Sequence, residues 1–111
     1  MKDILWISMK NNEKVPMFIW ESNILNTALN RYGIEPQLRQ LQEEAAELIV
    51  SINHFLRKRS GWETVCEEMS DTKILIDQIS LIENNQKTMN VYRKEKLERL
   101  ERKLNDSARN E

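Results

Sequence analysis

The sequence predicts an all-α chain, an up-and-down four-helix bundle or a dimeric variant of one, and three observations predict it. Only two glycines and two prolines interrupt 111 residues, and the chain is rich in the straight-chain residues that favour long helices. Apolar residues recur three and four positions apart along four stretches. With 40 % hydrophobic and 32 % charged residues, one domain of this size can build a core but has little apolar surface to spare. Such a chain commonly shares its core with a second subunit.

The elements follow in order. Residues 1–18 are irregular, and Asn11-Asn12-Glu13-Lys14 before Pro16 reads as a turn or loop after an apolar arm. The first helix is expected over residues 20–32, where Ile24, Leu25, Ala28, Leu29 and Tyr32 share a face; Gly33 stands at its C-terminal end and Pro36 suits the first turn of the next helix. The second helix carries the stripe Leu38, Leu41, Ala45, Leu48, Ile52 and Phe55 and is expected to end near Arg59-Ser60-Gly61. A third helix begins near Trp62 with Val65, Met69, Thr72, Ile76 and Ile79 as its core stripe and ends at Asn84-Asn85. The fourth, about 87–104, has Leu97, Leu100 and Leu104 on one face and is otherwise mostly charge, with Glu95–Arg99 and Glu98–Arg102 spaced for ion pairs. The expected organisation is an N-terminal arm at 1–18, a helical domain at 19–105 and a frayed tail at 106–111.

Charge excludes some partners. The 17 basic and 18 acidic residues nearly cancel, so no global field favours a nucleic acid polymer or a membrane surface. The run Ile4-Leu5-Trp6-Ile7 is too short for a signal peptide or a membrane span. The single cysteine, Cys66, cannot form an internal disulfide. A cytoplasmic protein is the expectation.

The chemistry-bearing residues are acids. Glu44 and Glu47 are three apart on the second helix, and Glu68 and Asp71 repeat that spacing on the third, so each pair lies on one face. Glu44 and Glu47 belong to a polar stripe with Gln37, Gln40, Ser51 and His54 that runs beside the core positions. Antiparallel helices would bring the two pairs face to face, where four ionised carboxylates repel one another unless a cation intervenes. Oxygen ligands favour Mg²⁺, Mn²⁺ or Ca²⁺ over zinc or copper. Paired glutamates also occur on solvated helix faces, so spacing alone leaves a structural surface open. A ferritin-like di-iron site would need Glu-x-x-His on two helices, whereas the one histidine, His54, follows Ser51.

In this order, Glu43-Glu44-x-x-Glu47, then twenty residues, then Glu68-x-x-Asp71 resembles the signature of the MazG-like all-α nucleoside triphosphate pyrophosphatase superfamily. The flanks are similar to its small phage and bacterial members: Tyr32-Gly33, Gln37, Gln40, residues 42–49, Asn53 and the tail 92–100. The resemblance covers roughly residues 22–104. It implies a helical core assembled as a homodimer or a pair of dimers. It also implies a Mg²⁺-dependent hydrolase, with Mn²⁺ as a possible substitute, that cleaves a (deoxy)nucleoside triphosphate to the monophosphate and pyrophosphate. The metal ligands carried over are Glu44, Glu47, Glu68 and Asp71, with Glu43 as a proton acceptor or a group behind the ligands. Lys96 and Arg99 match basic positions of the family's tail helix, and Arg93 and Arg102 extend that stripe toward a phosphate-binding role; a solvated face is the other reading. Arg57-Lys58-Arg59 is a further basic group, also explicable as helix C-terminal cations. Asn53 and His54 are candidates to line a base pocket, and Trp6, Trp20 and Trp62 to stack on a base or to fill the core.

The chain departs from the family in two places. Thr72-Lys73 follow Asp71 where many relatives continue with an apolar residue, and the extension containing Pro16 has no counterpart. Two rival readings accompany the enzyme. One is a catalytically inactive module that binds nucleotide or metal; the other is a helical interaction protein using its charged fourth helix.

Overall fold

The structure is a computed structural model that describes residues 6–8 and 14–109, with side chains from residue 18 onward. It is all-helical apart from one short ribbon, and it divides into two compact units, Met1–Ile79 and Ser80–Glu111.

The first unit opens with β1 (Trp6–Ser8) and β2 (Lys14–Pro16), paired antiparallel in the register Trp6↔Pro16, Ile7↔Val15, Ser8↔Lys14. The sequence suggested irregular chain here. Trp6, Ile7 and Val15 favour extended backbone, and Pro16 is tolerated in a ribbon that has only edges. Residues 9–13, where the turn was expected, lie outside the described residues, as do residues 110–111 of the expected tail.

Helix α1 (Met17–Tyr32) begins directly after Pro16, three residues before the expected start, because Met17, Phe18 and Ile19 contain no breaker. Gly33 ends it. Its φ of 90° with ψ of 165° is a conformation open essentially to glycine alone. The Gly33 N–H still donates to Leu29 O at 2.9 Å. Helix α2 (Ile34–Leu56) then starts with Pro36 in its first turn. It ends at Leu56, just before the Arg59-Ser60-Gly61 stretch where its end was expected. Lys58, at φ 61°, takes the left-handed position; its N–H donates to Phe55 O and that of Arg59 to His54 O. That is the Schellman pattern with lysine where glycine is usual. Helix α3 (Trp62–Ser80) follows, and Trp62 meets Phe55 edge to face across the turn at 5.2 Å between centroids.

The core differs from the expected stripes. Leu38 and Ile52 on α2, and Met69 and Ile76 on α3, are exposed, whereas the buried side chain of α2 is Ser51. On α3 the buried residues are Val65, Thr72, Leu75, Gln78 and Ser80. Ser51 of the polar stripe is thus buried on α2, while Val65 and Thr72 of the expected α3 stripe are buried and Leu41, Ala45, Leu48, Phe55 and Ile79 are half-buried. Gln78 reaches from α3 to α1, donating to Leu25 O at 3.3 Å.

The second unit contains α4 (Asn85–Arg109), entered through Asn84 in the left-handed conformation. It is helical through Arg109, into the tail expected to fray from residue 106. All its residues except Asn85 are exposed, and its ion pair is Lys94–Glu98 at 3.9 Å rather than either expected Glu–Arg pair. No helix among the described residues is long and apolar enough to cross a membrane.

Candidate metal centre

Helical spacing places the acids, and a cross-helix hydrogen bond fixes their level. On α2, Gln40 Nε2 donates to Glu44 Oε1 at 3.0 Å, one turn away, and orients that carboxylate. On α3, the buried Thr72 hydroxyl has two carbonyls within reach: Glu68 O at 2.8 Å on its own helix and Glu44 O at 3.2 Å on α2. One proton serves both, so the turns bearing Glu44 and Glu68 are tied side by side.

The result is a cluster. Glu44, Glu68 and Asp71, all half-buried, each place a carboxylate oxygen within 4.8 Å of the others. Oxygens on opposite sides of Ca²⁺ lie about 4.6–5.2 Å apart and on Mg²⁺ about 4.2 Å. The three oxygens are thus close enough to converge on one hard cation. Glu44 Oε2 and Glu68 Oε2 are buried and have no hydrogen-bond partner. Two anionic oxygens withdrawn from water without a donor are costly, and a hard cation is the partner that such a donor set fits.

Glu47 stands at the exposed edge of the cluster and is not one of the three. The charge on Glu44, then that on Glu68, holds its carboxyl above the ordinary range. Glu43 is exposed on the neighbouring flank of α2.

A groove of about 340 Å³ adjoins the acids between α2 and α3, lined by Ala46, Glu47, Val50, Ser51, His54, Ser60, Thr64 and Glu68. His54 lines it; Asn53 is exposed and does not. Trp62 is engaged with Phe55, Trp20 borders a cavity between α1 and α3 with Ile74 and Asp77, and the side chain of Trp6 lies outside the described residues. Arg93, Lys96, Arg99 and Arg102 are exposed on α4, in the second unit. Arg57, Lys58 and Arg59 are exposed at the end of α2. Lys73 pairs with Asp77 on its own helix at 3.1 Å.

Sequence reasoning missed Thr72 as a tie, and Ser60 and Thr64 as groove residues. Thr72 had a signal, a hydroxyl where an apolar residue was expected; Ser60 and Thr64 had none, because a turn and the helix start after it carry no periodicity. No protein-family profile, no curated protein and no solved structure matches the chain.

Proposed function

We propose that the chain is a divalent-metal-dependent nucleoside triphosphate pyrophosphohydrolase, cleaving a (d)NTP to the (d)NMP and pyrophosphate. The observation that carries this is the cluster of Glu44, Glu68 and Asp71 with its two buried, partnerless oxygens. A triphosphate is the substrate class suited to such a centre, and the MazG-like arrangement of the four acids adds the reaction type. These three carboxylates would hold the ion, Mg²⁺ or its substitute Mn²⁺, with Glu47 completing the set from the edge. When bound, the cation supplies charge neutralisation at the phosphate oxygens and acidifies water. Gln40 and Thr72 keep the carboxylate-bearing turns in place. Glu43, exposed on the neighbouring flank of α2, is the candidate to accept a proton from an attacking water. The resemblance would give the β- and γ-phosphates to Arg93, Lys96 and Arg99 of α4, which belong to the second unit.

Assembly as a homodimer or homotetramer belongs to the same reading. Beside half-buried Ala45, the residues Ile49, Ile52 and Leu56 form an exposed apolar line on α2 at four- and three-residue steps, the spacing of a helix–helix seam.

The test is pyrophosphate release from a panel of ribo- and deoxynucleoside triphosphates, with and without Mg²⁺. We expect metal-dependent release that Glu68→Gln or Asp71→Asn reduces at least a hundredfold. An equally active Glu68→Gln variant would remove this site. The exposed Leu97, Leu100 and Leu104 of α4 favour a second reading, a helical interaction protein. A folded protein indifferent to both cations and nucleotides would support it.

A further inference from the structure

Helix α4 leaves a narrow apolar seam uncovered. Leu97, Leu100 and Leu104 are 51, 51 and 62 % exposed. Their three- and four-residue steps are those of heptad positions a, d and a. Toward the N-terminus the same seam positions are held by Arg93 and Asn90, and toward the C-terminus by Ser107. The apolar contact that α4 offers therefore runs over about two turns.

The charges beside the seam restrict what can cover it. At about 100° per residue, Lys96 and Lys103 fall on one flank, with Arg99 beyond them. The other flank presents Glu101, with the Lys94–Glu98 ion pair, at 3.9 Å, beyond it. One flank is thus basic and the other offers an acid, so the helix is complementary to itself. A second copy of α4, laid parallel and in register, stacks each leucine on its counterpart and sets opposite flanks together. Lys96 then faces Glu101 of the second copy, five residues on, and Glu101 faces Lys96 of that copy. Lys103 and Lys94 meet Ala108 and Met89, which are uncharged. An antiparallel copy brings like flank to like flank, so Lys96 and Lys103 confront the same two lysines.

We propose that two copies of the chain associate through α4 as a short parallel coiled coil, with Leu97, Leu100 and Leu104 as its seam and Lys96–Glu101 pairs between copies setting its orientation. Two turns of leucine make a weak seam, so the association is reversible and depends on concentration. It is a contact separate from the α2 line and independent of the chemistry of the acids. Lys96 is drawn to the seam, while Arg99 stays on the outer face of the pair.

The test uses the full chain carrying Ile52→Glu, which closes the α2 line to other copies. Sedimentation gives the dimerisation constant, and circular dichroism checks that each variant is folded. Lys96→Glu and Glu101→Lys each set like charges across the seam and are expected to weaken pairing about tenfold. The two substitutions together exchange the charges and are expected to restore it. Orientation is read separately. The chain has one cysteine, Cys66, so Cys66→Ser with Ser107→Cys leaves a single thiol beside the end of the seam. In a glutathione redox buffer this chain is expected to form a disulfide between copies, because parallel register sets the two positions side by side. A chain that stays monomeric at every concentration reached would overturn the proposal. So would single variants that pair like their parent, a double variant no better than the singles, or a position 107 that does not cross-link.

Discussion

At the scale of single residues, Thr72 matters as much as the acids it accompanies. Its hydroxyl joins the Glu44 and Glu68 turns, so Thr72→Val keeps the volume and deletes the tie. A hydrogen bond of this kind is worth about 1 kcal/mol, and if it is spent on positioning, cation affinity falls about fivefold. Titration calorimetry with Mg²⁺ checks this, and unchanged affinity would mean that the carboxylates hold their places alone. Glu47 gives a pH dependence. Its carboxyl is held above its ordinary 4.5, so through that window the native state keeps a proton that the unfolded chain has released. Stability contributed there is present below the ordinary value and is lost as pH rises through the raised one. The metal-free protein should lose thermal stability as pH climbs through that window, and a divalent cation should restore it; a flat profile would sink the coupling. The acids were legible in the sequence because three-residue spacing on a helix fixes a shared face. Thr72 was legible only as a departure from an apolar pattern, since a hydroxyl tie leaves no periodic trace.

At the scale of elements, the four helices were legible, as were the end of α1 before Gly33 and the start of α3 at Trp62, whereas the start of α1 and the end of α2 were not. Apolar periodicity reports a helix interior, whereas an end is set by one residue's backbone. The end of α2 was expected near Arg59-Ser60-Gly61, yet Lys58 in the left-handed conformation ends it after Leu56. Lys58→Gly removes that strain and should stabilise the fold by about 0.5–1 kcal/mol. Gly33→Ala is the converse. An added Cβ meets only Pro36 Cδ, at 3.8 Å, so space permits it and the positive φ does not. A loss of roughly 1–3 kcal/mol is expected. Denaturant titration of both variants tests whether these turns are set by backbone conformation. The ribbon β1–β2 escaped the sequence reading because three-residue strands are shorter than any window over which alternation can be recognised.

At the scale of the whole molecule, the observed core keeps part of the expected stripes, Val65 and Thr72 above all, and leaves Leu38, Ile52, Met69 and Ile76 exposed. Apolar patterning marks residues that must leave water, but not whether their own chain or another removes them. The line Ile49, Ile52 and Leu56 is exposed, and the proposed assembly predicts that Ile52→Glu lowers the molar mass seen by sedimentation while leaving helical content intact. A wild-type chain already monomeric at working concentrations would end that reading. What the described residues do bury is largely polar: Ser51, Thr72, Gln78 and Ser80 beside Val65 and Leu75. That composition has a calorimetric consequence. Exposing polar surface lowers the heat capacity of unfolding, whereas exposing apolar surface raises it. At high dilution, the increment per residue should therefore fall below the usual 12–15 cal/mol/K or so, giving a broad, shallow stability curve that cools without much loss. If copies cover the α2 face as concentration rises, the increment should rise with it and the curve should steepen.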